Sequence, residues 1–283
     1  MRHLSQVQTQ AEILRLGLNQ PPLYPFALCD TQRLTQSYDW HAHEVHQLLY
    51  ALSGVLHLET ADTRYLLPPQ RAVWIPAGVM HRTWLEDVQS ASVFLPNDSV
   101  ENFGNQVAIL SATPLMREMI LYAIRWPATY PRPNDLAESF FQTFIRLCSD
   151  WLREPLPLFL PQTDHPALIK AMAYTQTELA DATVAGASSA AAMSERSFRR
   201  HFLSAVGMTW QQYLIQSRMI RAAALLAQPR ARVSDVAEKI GFCSLSRFSA
   251  QFQLFFGNSP GQYAKSLTGP LPAAPDLQLA QRG

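Results

Sequence analysis

At 283 residues the chain is longer than one typical domain, and two domains are expected. Its net charge of +1 hides a division: residues 164–268 carry eleven Lys/Arg against six Asp/Glu, a net +5, while residues 1–163 carry eleven against fifteen, a net −4. A polyanion partner is therefore expected for the C-terminal half. No apolar run approaches a membrane span, MRHLSQVQTQAEIL lacks the apolar core of a signal peptide, and Cys29, Cys148 and Cys243 are too few and too scattered for a disulfide framework or thiolate metal site. The expectation is a soluble protein of the reducing cytoplasm.

From about Tyr38 to Leu95 the chain reads as β structure, with Val/Leu/Tyr/Trp-rich runs broken at Ser53-Gly54, Pro68-Pro69 and Pro76-Ala77-Gly78. Short strands with such turns predict a small barrel or sandwich. His41, His43 and Gln47 lie two and four residues apart, which on one strand places them on one side; His81 follows the Pro76-Ala77-Gly78 turn. Aromatic side chains crowd the same segment. Trp40, Trp74 and Trp84, with Leu49, are candidates for the wall of an effector pocket, the alternative being plain core.

The spacing His41-x-His43-x3-Gln47-x6-Gly54 and Pro76-x-Gly78-x2-His81 resembles the two cupin motifs, with Gln47 for the usual Glu and Leu85 where an Asn is expected. The resemblance implies that His41, His43, Gln47 and His81 converge inside a barrel as ligands of a divalent transition metal (Fe, Ni, Zn or Mn). A polar ligand pocket, or histidines hydrogen-bonded within the barrel, are the alternatives.

Two helices are predicted next, Thr113–Arg125 with Leu115, Met119 and Tyr122 in a stripe, and Leu136–Leu152 with Phe140, Phe144, Leu147 and Trp151. They pack against the barrel or make a homodimer contact. A Pro-rich breaker over 126–133 separates them, and a stiff, partly extended linker follows from Glu154 to Thr163. The domains expected are 1–155, a linker at 156–163, 164–268, and a disordered tail at 269–283.

The C-terminal half contains one pattern twice. Ser194, Phe198, Phe202, Gly207, Thr209, Gln212 and Tyr213 recur fifty residues later as Ser244, Phe248, Phe252, Gly257, Ser259, Gln262 and Tyr263. A repeat of this length is one supersecondary unit used twice. Ser194 and Ser244 suit helix N-caps, the paired phenylalanines share one helix face, and Gly207 and Gly257 suit left-handed helix ends. The predicted helices are Asp164 (N-cap) to Ala180, Val184–Ala191, a reader at Glu195–Ala205, a long helix at Trp210–Leu226, a helix opening at Val233, and a second reader at Leu245–Phe255 after the Gly241-Phe242 turn. Gly186 and the serines beside it predict a first copy that is less rigid.

This half, from about Asp164 to Ser266, resembles the DNA-binding domain of the AraC/XylS family of bacterial transcription regulators, most specifically at Gly241-Phe242-Cys243-Ser244 through Tyr263. That family also sets a cupin-like sensor ahead of this domain. The resemblance implies an α+β chain: an N-terminal cupin-like β-barrel with packed helices, and an all-α domain of two helix-turn-helix units joined by a long helix. It implies a ligand-responsive regulator, more often an activator, that binds double-stranded DNA, a small-molecule or metal effector and RNA polymerase. On the first reader Ser194, Arg196, Ser197, Arg199 and Arg200 are candidates for DNA contact. On the second they are Ser244, Leu245, Ser246, Arg247, Ser249 and Ala250, a surface with little charge, which predicts a weaker reader. A metal-dependent cupin enzyme fused to a DNA-binding domain is the alternative, and an adaptor whose readers bind protein is a third.

Overall fold

The computed structural model describes residues 2–30, 32–69, 71–100, 106–130, 134–156, 158–228 and 230–267. The expected tail at 269–283 and the Pro131-Arg132-Pro133 part of the breaker lie outside them. The described residues divide into two compact units, one of residues up to Thr60 and Leu67–Leu156, the other of Ala61–Leu66 with residues 158–267.

The first unit is a curled, mostly antiparallel sheet. Its spine is a pair of long strands, β4 (Val45–Glu59) and β7 (His81–Pro96), in register from Val45 opposite Pro96 to Glu59 opposite Arg82. The spacing Ser53-Gly54 read as a break is instead a bulge within β4, where the register shifts between Ala51 and Val55. Bulges bend a strand and sharpen its twist, which lets one long strand run around a curled sheet. Gly54 is required there: its φ is +73, and a Cβ would lie 2.2 Å from the Asp87 carbonyl oxygen.

Beyond β7, its first half pairs with β3 (Gln36–His41) and its second half with β2 (Phe26–Cys29). β1 (Arg2–Leu4) adds in parallel to β3. Beyond β4 come β6 (Arg71–Ile75) and β8 (Ala108–Ser111). Helix α1 (Gln6–Arg15), which the sequence reading did not predict, is capped by Ser5 in a capping box and buries Ile13 against Phe26, Val45 and Phe94.

Helices α2 (Pro114–Ala123, capped by Thr113) and α3 (Asp135–Trp151, capped by Asn134) cover one face of the sheet. Leu48, Tyr50, Trp74, Val93 and Leu110 from the sheet meet Met116, Ile120, Phe141 and Phe144 from the helices. The predicted stripes overlap the buried faces in part: Phe144 is fully buried, and Met119, Phe140 and Trp151 pack against the core. On α2 the buried residues include Met116, Ile120 and Leu121, while Leu115 and Tyr122 are exposed; on α3 Ala137, Phe141, Phe144 and Cys148 are buried, while Phe140 and Trp151 are only partly covered.

In the second unit a short antiparallel ladder joins β5 (Thr63–Leu67) to β9 (Phe159–Pro161), with Tyr65 opposite Phe159. The stretch read as a linker thus contains a strand. Its Phe159 carbonyl accepts from the Gln216 side chain, and Leu160 packs on the helical core. Seven helices follow: α4 (Pro166–Thr177), α5 (Val184–Ala190), α6 (Glu195–Val206), α7 (Trp210–Leu226), α8 (Val233–Lys239), α9 (Leu245–Phe256) and α10 (Pro260–Leu267). The cap of α4 is His165, without a side-chain bond, rather than Asp164, and α4 ends at Thr177, short of Ala180. The first helix-turn-helix is α5–α6, the second α8–α9, and α7 joins them.

The repeat is repeated in space. Phe198, Phe202, Phe248 and Phe252 are fully buried. Phe202 meets Tyr213 edge-on at 5.5 Å, and Phe252 meets Tyr263 in the same way at 5.4 Å. Gly207 and Gly257 both adopt the left-handed conformation, with φ +75 and +74. Gly186 lets the Tyr174 ring of α4 pack directly on the backbone of α5.

Candidate functional site

On α6 the buried side is set by Phe198, Phe202 and Val206, so the opposite side is free. Arg196, Arg199 and Arg200 are all exposed on it. Arg199 forms an exposed pair with Glu195 at 3.3 Å, a contact of little energetic weight that a phosphate or guanine can displace. Among the described residues Arg196 and Arg200 have neither a hydrogen bond nor an ion pair. Leu203, which the sequence reading omitted, is exposed too, four residues after Arg199 on the same side. That spacing was the signal available for it.

Ser194 is the α6 N-cap: its Oγ accepts from the Ser197 N–H at 3.3 Å. Ser244 caps α9 likewise, accepting from the Arg247 N–H at 3.4 Å. Each hydroxyl still has its proton to donate, and both sit at helix starts, where free N–H groups attract anions. On α9 Leu245, Ser246, Arg247 and Ala250 are exposed and Ser249 is half-buried. Arg247 is the one cation among these candidates, so the two readers share a frame and differ in surface.

In the first unit the histidines come together, though not along one strand as expected. β3 ends at His41, the chain turns, and β4 begins at Val45 with His43 between them. His41 pairs with His81 across the ladder. Ring centroids are 4.2 Å apart for His41 and His81, 5.2 Å for His43 and His81, and 6.4 Å for His41 and His43. All three rings are buried. Tyr38, which the sequence reading did not single out, has its ring 6.2 Å from His41.

Each Nδ1 meets a backbone carbonyl: His41 that of Asp39 at 2.7 Å, His43 that of Val45 at 2.7 Å, His81 that of Val79 at 2.9 Å. A carbonyl only accepts, so each Nδ1 carries the proton and each neutral ring keeps its lone pair on Nε2. Burial drives all three below the usual imidazole range, His43 to about 4 and His81 well down, with neighbouring imidazoles adding to the effect on those two. His43 Nε2 is buried without a hydrogen-bond partner. Neutral, carbonyl-oriented imidazoles suit a metal or a hydrogen-bond donor on a ligand. As the side chains stand, however, no group of three His, Cys, Asp or Glu among the described residues is set to hold a metal ion. Gln47 uses its amide on Ser92 Oγ at 2.9 Å.

The four candidate wall residues do not meet. Leu49 pairs with Val73 and Leu48 with Trp74, and Leu48 and Trp74 both belong to the core under α2 and α3, so Leu49 faces the other side of the sheet. Trp74 is plain core, stacked on His46 at 4.8 Å. Trp40 lies under the Arg82 guanidinium, 5.1 Å from ring centroid to Cζ, and Trp84 stacks on His57 at 4.8 Å. Strand alternation sets Arg82 and Trp84 on the face opposite His81 and Thr83.

Comparison with known proteins agrees with both halves. The family of AraC-like ligand binding domains matches residues 25–147, and a helix-turn-helix domain family matches residues 187–266. The chain is 29% identical over 243 residues to the HTH-type transcriptional regulator NimR of Escherichia coli (strain K12), covering 83% of this chain and 86% of that protein. It is 27% identical over 239 residues to the probable transcriptional regulator LumQ of Photobacterium leiognathi, covering 82% and 94%. Over 86 residues it is 40% identical to the transcriptional activator NphR of a Rhodococcus species, covering 30% and 25%. No helix among the described residues is long and apolar enough to cross a membrane. The chain is therefore a transcriptional regulator with an AraC-like ligand binding domain ahead of a helix-turn-helix DNA-binding domain, similar to the regulators named above.

Proposed function

We propose that the protein binds a specific asymmetric DNA site of two short boxes, one per reader, and activates transcription from the cytoplasm in response to an effector held at the histidine cluster. The exposed arginine face of α6 carries this reading. Only the major groove admits a helix and displays a distinct pattern for each base pair, and arginine binds guanine through two hydrogen bonds. The activator role is supported by the name of the Rhodococcus relative, which is 40% identical over 86 residues. RNA polymerase is the partner that such a role requires. A homodimer through the first unit is supported by Leu115, Tyr122 and Leu136, which α2 and α3 leave exposed.

The domain limits proposed are 1–155 for sensing and 164–268 for DNA binding, joined by 156–163. The effector proposed is a small molecule that donates hydrogen bonds, or a divalent transition metal, since three Nε2 lone pairs serve either. His41, His43 and His81 would hold a metal, with Gln47 reaching it only after leaving Ser92. Footprinting on the DNA upstream of the protein's own gene tests the first part: salt-sensitive protection of two adjacent major grooves is expected, and binding without sequence preference refutes it. Metal content of the purified chain against His41→Ala/His43→Ala tests the second. Equal or absent metal in both leaves the small molecule.

A further inference from the structure

Arg218 lies near the middle of α7, and its guanidinium turns inward. Nε donates to the Leu179 carbonyl at 3.0 Å and Nη2 to the Ala180 carbonyl at 2.7 Å. Those carbonyls belong to the loop that enters the first helix-turn-helix. The same guanidinium lies 5.9 Å from the ring centroid of Phe242, in the turn of the second helix-turn-helix. Phe242 in turn meets Phe248 of the second reader edge-on at 5.6 Å. The backbones close the junction: Gly241, with φ +81, is so near that a Cβ would lie 2.0 Å from the Ala180 oxygen. Burial lowers the pKa of Arg218, with Asp181 opposing, so a charge is partly withdrawn from water to make these bonds. Arg221, one turn further along α7, is exposed.

We propose that Arg218 is a positioning residue that fixes the separation and rotation of the two readers, so that the chain measures the spacing between its two DNA boxes. The inference rests on the reading of α6 and α9 as DNA readers. The first helix-turn-helix reaches Arg218 by a packed path, since α5 is seated on Tyr174 of α4 and α6 shares its core with Ala187 and Ala191 of α5. The second helix-turn-helix reaches it through Phe242 and Phe248. Without the guanidinium, two carbonyls and one aromatic face lose their common partner, and the units are tied through α7 and the Gly241 contact alone. One inserted base pair moves a box by about 3.4 Å and turns it by about 35°. A loosened junction follows that change, and a locked one does not.

The test uses the full chain and duplexes that it selects from a random-sequence pool. Affinities are measured for the selected spacing, for spacers one base pair longer and shorter, and for each box alone. The wild type is expected to lose about tenfold or more per altered base pair. Arg218→Met keeps the apolar stem; it is expected to bind single boxes within about twofold of wild type and to lose most of the spacing penalty. Arg218→Lys, which keeps a charge and N–H donors on a single nitrogen, is expected to restore much of it. An unchanged penalty in Arg218→Met overturns the proposal, as does equal weakening on single boxes and on every spacer, which marks a merely structural role. Should circular dichroism show Arg218→Met unfolded, Phe242→Leu removes the other side of the bridge and is read in the same way. A wild type indifferent to spacing refutes the two-reader reading itself, and this inference with it.

Discussion

The Tyr174 ring fills the space that a side chain on Gly186 would need: a Cβ there would lie 2.0 Å from the Tyr174 hydroxyl oxygen and 2.4 Å from Cζ. Helix propensity alone predicts that Gly186→Ala stabilises α5 by about 1 kcal/mol. The packing reverses the sign, because the ring must leave its seat and give up its bond from the Thr183 N–H. Gly186→Ala is expected to destabilise the chain by about 1–3 kcal/mol, as overpacking does. In Tyr174→Ala the same substitution is expected to be neutral or stabilising. Denaturant unfolding of the four chains decides it, and a Gly186→Ala chain more stable than wild type refutes the account.

What the sequence revealed and what it hid follow the same line. The two readers were legible to within a residue because each element is specified locally, by a cap, a paired phenylalanine face and a terminal glycine fifty residues apart. The packing role of Gly186 was hidden because its partner, Tyr174, lies on α4, twelve residues away. The buried faces of α2 and α3 were legible only in part, since both helices are apolar on more than one side and only the sheet decides which side is covered. His41, His43 and His81 were chosen from spacing and do cluster, but through a turn and a ladder pairing rather than along one strand. Tryptophan content could not tell Trp74, under the helices, from Leu49, on the opposite face. Strands as short as β9 have no periodicity to read.

The readers are expected to be unequal. Arg196, Arg199 and Arg200 project from one face of α6, while α9 presents Leu245, Ser246, Arg247, Ser249 and Ala250. The triple change to Ala on α6 is expected to abolish specific binding, each base-reading arginine being worth about 1–3 kcal/mol. Each arginine that instead holds phosphate lowers the salt slope by about 0.9. Ser246→Ala with Ser249→Ala is expected to cost less than about 1 kcal/mol. Electrophoretic mobility shifts across a salt series separate these cases; unaltered specificity in the arginine triple mutant would mean that another face reads the DNA.

Gly207 and Gly257 offer a paired control. Neither would meet any atom with a Cβ, yet both have φ near +75. Substitution by Ala therefore isolates the backbone cost of the left-handed conformation, about 1–2 kcal/mol. Thermal unfolding of Gly207→Ala and Gly257→Ala is expected to give similar losses. A loss at one site only would show that the two copies of the repeat do not bear the same share of stability.

The histidine cluster makes stability depend on pH in a stated direction. His43, with an ordinary value of 6.5, is held to about 4 by burial, and His41 and His81 are lowered as well. Its near neighbours are those two imidazoles, Tyr38 beyond His41, and the neutral Gln47 amide. None offers a negative charge to an imidazolium. Between the two pKa values the unfolded chain binds more protons than the folded one, so stability rises with pH in that window. The contribution is complete above about pH 6.5 and is lost as pH falls toward 4, amounting to roughly 3 kcal/mol for His43. The comparison is between chelator-treated wild type and His43→Gln, whose side chain does not titrate. Urea midpoints from pH 7.5 to 4.5 are expected to fall more steeply for wild type, and parallel curves would show that His43 accepts its proton in the folded state as readily as in the unfolded one.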